Sequence, residues 1–231
     1  GATEQHGHHL PLGTDTTIGL GLQAAMLDAL PQALDIICLP AISVGASDEH
    51  NSFPGTLSLP ARVAIDTLEA YGDSIAQADI QRLMIINSHG GNKAVMDIAA
   101  LALRKRHALQ VIKATYTALP PLEGALDADE LRRGLHGGLL ETAMMLHLAP
   151  DQVNMARARN ALPEKPADES LLDHEGAASL AWLAEDLAYD GLAGNATGAT
   201  AQLGRRLVHH YGHQLAKVVQ EAAARPLPAT S

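Results

Sequence analysis

The stretch RLMIINSHGGNKAVMDIAALALRKRHALQVIKATYT (82–117) decides the fold. Leu83 to Asn87 is a short apolar run closed by a glycine turn, and it reads as a buried strand. Residues 92–107 place apolar side chains at helical spacing. Their basic residues fall in the last turn, where cations suit the helix dipole. ALQVIKATYT (108–117) is a second apolar run and a second buried strand. The same alternation extends on both sides. Helices are predicted over 16–30, stopping before Pro31, and over 58–78, with Pro60 in the first turn. Others are predicted over 137–149, near 175–189 and from about 200 to 223, and a buried strand over 34–44. Residues 161–169 hold two prolines and several charges and read as an exposed loop. Apolar strands alternating with amphipathic helices predict an α/β fold with a largely parallel sheet covered on both faces.

The chain has 231 residues, 47% of them hydrophobic, enough for one sizeable core. Only 3% are aromatic, so that core is built from Ala, Leu, Ile and Val. Lys and Arg number 16 against 26 Asp and Glu, a formal charge of -10. That balance argues against nucleic-acid binding, which needs a basic surface. The one cysteine, Cys38, allows no internal disulfide and is expected to be a packed, inert thiol. No apolar run approaches the ~20 residues that span a bilayer. With no signal peptide visible, a soluble cytoplasmic protein is expected.

Sheets of this kind bind ligands beyond the carboxyl ends of their strands, and the polar glycine turns fall there. GATEQHGHHLPLGTD (1–15) gathers Glu4, His6, His8, His9 and Asp15 beside an apolar run. In an extended segment Glu4 and His6 leave the same side, with Cβ atoms ~6–7 Å apart. That spacing suits two ions ~3.5–4 Å apart. His8, one of an adjacent pair, is left out of that set. Asp15, at a helix start, either offers one oxygen to each ion or only caps the helix. The histidines are either ligands or an exposed tail. In NSHGGN (87–92), His89 ends a buried strand and precedes two glycines that let a ligand approach the backbone. In HGGLLET (136–142), Glu141 sits in the first turns of an apolar helix. It either favours the dipole there or pairs with a cation. Ser47, Asp48 and His50, in a loop after the 34–44 run, are within range of a substrate. His209 and His213 form an i, i+4 pair that either holds metal or is a solvated face. Trp182 is read as core or subunit contact.

Together these segments resemble the creatininase (creatinine amidohydrolase) family. Its motifs read here as GATEQHGHHLPLGTD, EHNSFPGTLSL (49–59), NSHGGN, HGGLLET and, toward the end, GLAGNATGATAQLG. The resemblance implies a three-layer α/β/α sandwich forming one domain over 1–231, with a binuclear centre of two divalent ions. Carboxylate and imidazole donors suit zinc, manganese or iron. Glu4 and His6 would each hold one ion, Asp15 would bridge both, and His89 would share the ion of Glu4. Creatininase completes its second site with a glutamate two residues after that histidine. Gly91 stands there in this chain, and Glu141 is the candidate replacement. His136 corresponds to a family residue that handles substrate or protons. The family also implies a homo-oligomer, commonly a hexameric ring.

Other departures bear on substrate. Creatinine-cleaving members carry a Trp-Asp pair before the histidine of HGGLLET and an aromatic residue after the metal histidine. This chain has Arg132 and Arg133, and Gly90. Creatinine is therefore not the expected substrate, and the arginine pair suits an anionic one. Asn195 replaces an aspartate of the late turn. Family members also place a strand before the first motif, so either residues precede Gly1 or this wall of the site is weakly held. The expected activity is metal-dependent hydrolysis of a non-peptide C–N bond in a cyclic amide, formamide or related small molecule. His136 and Glu141 are the catalytic candidates, and Ser47, His50, Gly90 and Arg133 the substrate-binding ones. The rivals are a peptidase of a redox-cofactor maturation pathway and a non-catalytic metal-binding scaffold.

Overall fold

A computed structural model describes residues 1–167 and 170–228; the end of the predicted 161–169 loop lies outside them. The central unit is the one read first. Strand β1 (Arg82–Asn87) and strand β2 (Gln110–Thr115) pair in parallel, with Arg82 opposite Gln110 and Asn87 opposite Thr115. The helix joining them spans Asn92–His107. In chain order the helices are α1 (Thr14–Ala29), α2 (Ala61–Gln77), α3 (Asn92–His107), α4 (Ala128–Arg133), α5 (Leu139–Leu148), α6 (Ala184–Leu187) and α7 (Ala201–Ala224).

The layers follow from the apolar stripes. On α1, Ile18, Leu22 and Met26 recur at helical spacing and are buried. They meet Met144 and Met145 of α5, and Leu207, Tyr211 and Leu215 of α7, in one core. Met84 and Ile86 of β1 and Ala114 of β2 close that core from the sheet side. On the opposite face α2 packs against α3, and α3 against β2. The result is an α/β arrangement with helices on both sides of a small parallel sheet. Two glycines permit the closest helix contacts: a Cβ on Gly204 of α7 would collide with the Ala143 carbonyl of α5, and one on Gly72 with Leu103. Among the described residues, no helix is long and apolar enough to cross a membrane.

Two predicted elements differ from expectation. Residues 34–44 form no ladder with any described residue, and Ile36, Ile37 and Leu39 stay exposed, Ile37 at 73%. A strand needs a bonded neighbour. Here a cavity of about 570 Å³, lined by Leu34, Ile36 and Ile42 on one side and Met84 and Ile86 on the other, separates the segment from β1. Cys38 lies on this segment and is exposed, not packed. The predicted helix near 175–189 reduces to the four residues of α6. Leu171, 90% exposed, and Leu180 and Leu183 find no core to pack on, and short helices depend on such packing. Gly176, at φ +124, also breaks the helical path.

Candidate metal centre

Three chain segments converge at the carboxyl end of β1. The first is the N-terminal stretch, held against the FPGT loop. Leu57 donates its N–H to the Thr3 carbonyl at 2.9 Å, and Gln5 its N–H to Thr56 Oγ1 at 3.1 Å. The Glu4 N–H bonds the Leu12 carbonyl at 3.0 Å, so the chain doubles back before α1. This wall is tied at each of these points. Glu4, His6 and Asp15 are all buried. Asp15 does not cap its helix: α1 has Gly13 at the cap and no side-chain bond there.

The second segment is the turn after β1. Ser88 Oγ donates to the Asp15 carbonyl at 2.8 Å, which locks α1 to the strand end and sets His89 opposite the Asp15 side chain. The third is the HGGLLET turn. His136 and Ala193 exchange backbone bonds of 3.0 and 2.8 Å. Gly137, at φ +63, turns its N–H onto Glu141 Oε2 at 2.6 Å, a conformation that disfavours any residue with a Cβ. His9 Nε2 lies 2.9 Å from Thr142 Oγ1 and ties the first segment to α5.

The decisive geometry is at the imidazoles. His6 Nδ1 donates to the Glu4 carbonyl at 3.0 Å. That leaves Nε2 as the lone-pair nitrogen, 3.3 Å from Asp15 Oδ1. His89 Nε2 donates to the Ala46 carbonyl at 2.7 Å. Its Nδ1 then faces Asp15 Oδ2 at 3.2 Å and Glu4 Oε1 at 3.1 Å. Each ring is thus fixed by a backbone carbonyl on its outer nitrogen, as metal-ligating histidines are. Each inner nitrogen meets an oxygen of Asp15, and the two oxygens are different ones. Acceptors cannot face acceptors in a buried site without a cation between them. Glu4 Oε2, Asp15 Oδ2 and His6 Nε2 are buried, and none makes a hydrogen bond among the described residues. The donor set fits metal ions.

When protons are the only cations present, they take that place. Burial pulls His6 down, but the Asp15 carboxylate overrides it and holds the imidazole at about 10. Burial likewise opposes His89, whose bonds to Asp15 and Glu4 raise it well above the ordinary value. Asp15 is held well below the carboxylate range by the two imidazoles, against its burial. Burial pushes Glu141 up to about 7.

Donor atoms of His6, Asp15 and Glu141 lie within 4.8 Å of one another. So do those of Glu4, Glu49 and His89, and those of Glu4, His6 and His136. His136 Nε2 donates to the Gln5 carbonyl at 2.7 Å, and its Nδ1 stands 3.7 Å from Glu4 Oε1. Its ring lies between those of His6, with centroids 4.1 Å apart, and His50, at 4.0 Å, tilted by 34° and 37° to them. Burial, then the charge on His6, keeps His136 well below the usual imidazole range. His50 is lowered to about 3, first by burial and then by His6 and His89.

Glu4, His6, Asp15, His89, His136 and Glu141 therefore come together, with His50 beside them. Ser47 Oγ lies 3.2 Å from His89 Nε2, on the outer side of that ring. Gly90 is exposed, and a Cβ there would meet nothing within 4 Å. Arg133 is not drawn to this cluster. Its guanidinium is occupied by Asp129, one helical turn away at 2.9 Å, and by the Pro163 carbonyl. Arg132 pairs with Asp173 at 2.9 Å. His209 and His213 lie apart on α7, on an exposed face with ring centroids 4.1 Å apart.

Two carboxylates escaped the sequence reading. Glu49 lies inside the EHNSFPGT stretch, one residue from His50. Glu130 is buried, and it accepts from Leu139 N at 2.6 Å and Asn195 N at 2.9 Å. It thus fastens the start of α5 to the late glycine turn. Nothing in the spacing around Glu130 marks it, because both partners are backbone groups on other segments.

A parallel α/β sheet whose strand-end loops gather imidazoles and carboxylates around one aspartate defines a candidate two-ion centre. The creatininase family profile, described as creatinine amidohydrolase, matches residues 1–219, and the chain belongs to that family. It is 35% identical over 215 residues to a protein of Mycobacterium ulcerans named mycofactocin precursor peptide peptidase, covering 90% of this chain and 77% of that one. The like-named protein of Mycolicibacterium smegmatis is 36% identical over 155 residues, which span 66% of this chain and 57% of its length. Among solved structures, a candidate creatinine amidohydrolase from Bacteroides fragilis superposes with a TM-score of 0.79 at 25% identity, covering 99% of this chain and 89% of that one.

Proposed function

We propose that this chain is a metal-dependent amidohydrolase that cleaves an amide C–N bond with an activated water. The observation that carries the reading is the pair of imidazole nitrogens aimed at the two oxygens of Asp15, at 3.3 and 3.2 Å. Glu4, His89 and Asp15 would hold one divalent ion; His6, Asp15 and Glu141 would hold the other. Zinc, manganese and iron all suit these donors. When bound, such a pair lowers the pKa of a water toward neutrality and polarises a carbonyl oxygen.

The remaining work belongs to the side chains. His136 is neutral at pH 7, and its outer N–H is committed to the Gln5 carbonyl. Its Nδ1 lone pair therefore faces the centre, placed to take a proton from the attacking water and return it to the leaving nitrogen. The rings of His6 and His50 hold its plane. Glu141, anchored by the Gly137 N–H, keeps its carboxylate aimed at the Asp15–His6 side.

Two substrate classes follow. Cyclic amides and formamides are those suggested by the sequence. A peptide is favoured by the relatives of 35–36% identity, whose names describe a peptidase. Creatinine is disfavoured, since the exposed Gly90 offers a planar ring no stacking partner. The protein would work as a cytoplasmic ring-forming homo-oligomer, checked by its mass in solution. The function is tested by stripping the protein with a chelator, restoring Zn²⁺, Mn²⁺ or Fe²⁺, and assaying short peptides, cyclic amides and formamides. Hydrolysis should return with metal and vanish in His6→Ala. A fully loaded protein that turns over none of them would leave only the metal-binding scaffold.

A further inference from the structure

We propose that Glu49 is a ligand, supplying a further carboxylate to the ion held by Glu4 and His89; the assignment rests on the two-ion reading above. Glu49 belongs to a single 3-10 turn, Asp48–His50, on a loop that follows the 34–44 segment. Its side chain is 22% exposed, at the mouth of an otherwise buried set of donors. The turn delivers Oε1 to 3.6 Å from His89 Nε2.

Position 91 shows how closely this loop is packed against His89. An ideal Cβ on Gly91 would lie 2.6 Å from His89 Nε2 and 2.7 Å from Glu49 Oε1, and would collide with the Ala46 carbonyl oxygen. The space beside His89 that a side chain at 91 would fill is thus taken by Glu49 and the Ala46 backbone. No residue larger than glycine fits at 91 while Glu49 stays where it is.

A role limited to orienting His89 does not account for Glu49. The Nε2–H of that ring already has an acceptor at 2.7 Å in Ala46, with Ser47 Oγ at 3.2 Å. Glu49 at 3.6 Å is beyond hydrogen-bond distance. Its oxygen is instead clustered with those of Glu4 and the His89 nitrogen within the 4.8 Å that a single ion spans. The Glu4 and Glu49 carboxylates, with donor oxygens within 4.8 Å of each other, repel each other unless a cation lies between them. The ion on the Glu4 side then has four protein donors, Glu4, His89, Asp15 and Glu49. The other has three, His6, Asp15 and Glu141.

The experiment is a Zn²⁺ titration of the chelator-stripped full chain by competition with a chromophoric chelator, comparing wild type with Glu49→Gln. Glutamine keeps the shape of a partly exposed side chain, so the fold is retained. One dissociation constant should rise at least about tenfold, while the other stays within about twofold. Reloading with Co²⁺ should alter the visible bands of one ion only, a change in ligand set that a merely orienting residue would not produce. Two unchanged constants with an unchanged Co²⁺ spectrum overturn the assignment and leave the two-ion centre standing. Equal weakening of both ions also overturns it. A wild-type chain that binds no Zn²⁺ removes the centre itself.

Discussion

Asp15→Asn tests the bridging geometry directly, because it changes charge without changing shape. The carboxylate oxygens stand 3.3 Å from His6 Nε2 and 3.2 Å from His89 Nδ1. An asparagine in the same rotamer keeps one oxygen and turns an NH₂ toward the other imidazole. That NH₂ donates to a lone pair which otherwise requires a cation, so the metal-free variant should fold. It cannot ligate, so one ion loses a donor outright, and the other keeps only a weaker amide oxygen.

The size of the effect follows from linkage. An ion at a hundred times its dissociation constant stabilises the folded state by about 2.7 kcal/mol, and two independent ions by about 5.4 kcal/mol. For a chain of this length each kcal/mol moves Tm by roughly 2–4 °C. Saturating Zn²⁺ should therefore raise the wild-type Tm by roughly 10–20 °C. For Asp15→Asn the rise should be less than about half of that, with no more than one ion bound per chain. The assay is a thermal melt across a metal titration, paired with elemental analysis of the dialysed protein. Two tightly bound ions and an undiminished Tm rise in the variant would refute the bridge.

Other perturbations probe the surroundings. Gly204→Ala forces a methyl against the Ala143 carbonyl of α5 and should cost about 1–3 kcal/mol, read as a lower Tm; an unchanged melt would mean that α5 and α7 do not pack this closely. Glu130→Ala leaves the N–H groups of Leu139 and Asn195 without their acceptor. It should lower stability by about 2–4 kcal/mol in urea denaturation, whereas a loss under ~0.5 kcal/mol would contradict the fastening role. His136→Gln should depress kcat far more than it weakens Zn²⁺ binding; loss of metal with unchanged kcat in the fraction still loaded would assign it to ligation instead. The metal-free chain should also show a pH signature. His6 is raised from 6.5 to about 10, so its contribution is fully present below pH 6.5 and is lost as pH climbs through about 10. Tm of the stripped protein should fall over that window, and Tm of the Zn²⁺-loaded protein, whose imidazoles carry no proton, should stay nearly level.

The β1–α3–β2 unit was legible because each part is long enough, and apolar enough, for its period to show. The 34–44 run carried the same strand signal, yet a strand is half a property of its neighbour. Nothing in ICLPAIS tells whether a hydrogen-bonded edge lies within reach. The helix drawn near 175–189 failed for a related reason: its leucines have the right spacing but no surface to meet. Charge partners were hidden in the same way. Arg132 and Arg133 look like a free cationic pair until Asp173 and Asp129 come into view.

The candidate site was legible to the extent that its donor residues lie close together in the chain. Glu4, His6 and Asp15 fall within fifteen residues, and alternation alone puts the first two on one side. Their electrostatics are set by groups that no local spacing predicts. His6 is oriented by a carbonyl two residues away, His89 by one 43 residues away, and His136 by one 131 residues away. Backbone carbonyls carry no sequence signature, since every residue has one. Which nitrogen of each ring faces inward is therefore a property of the fold, and it is this choice that makes a cluster of histidines and acids a candidate pocket for cations. Glu49 shows the same limit from the other direction. It lies in a stretch whose resemblance was plain, but its relation to His89 rests on the missing Cβ of Gly91, a contact between two loops that only the folded chain brings together.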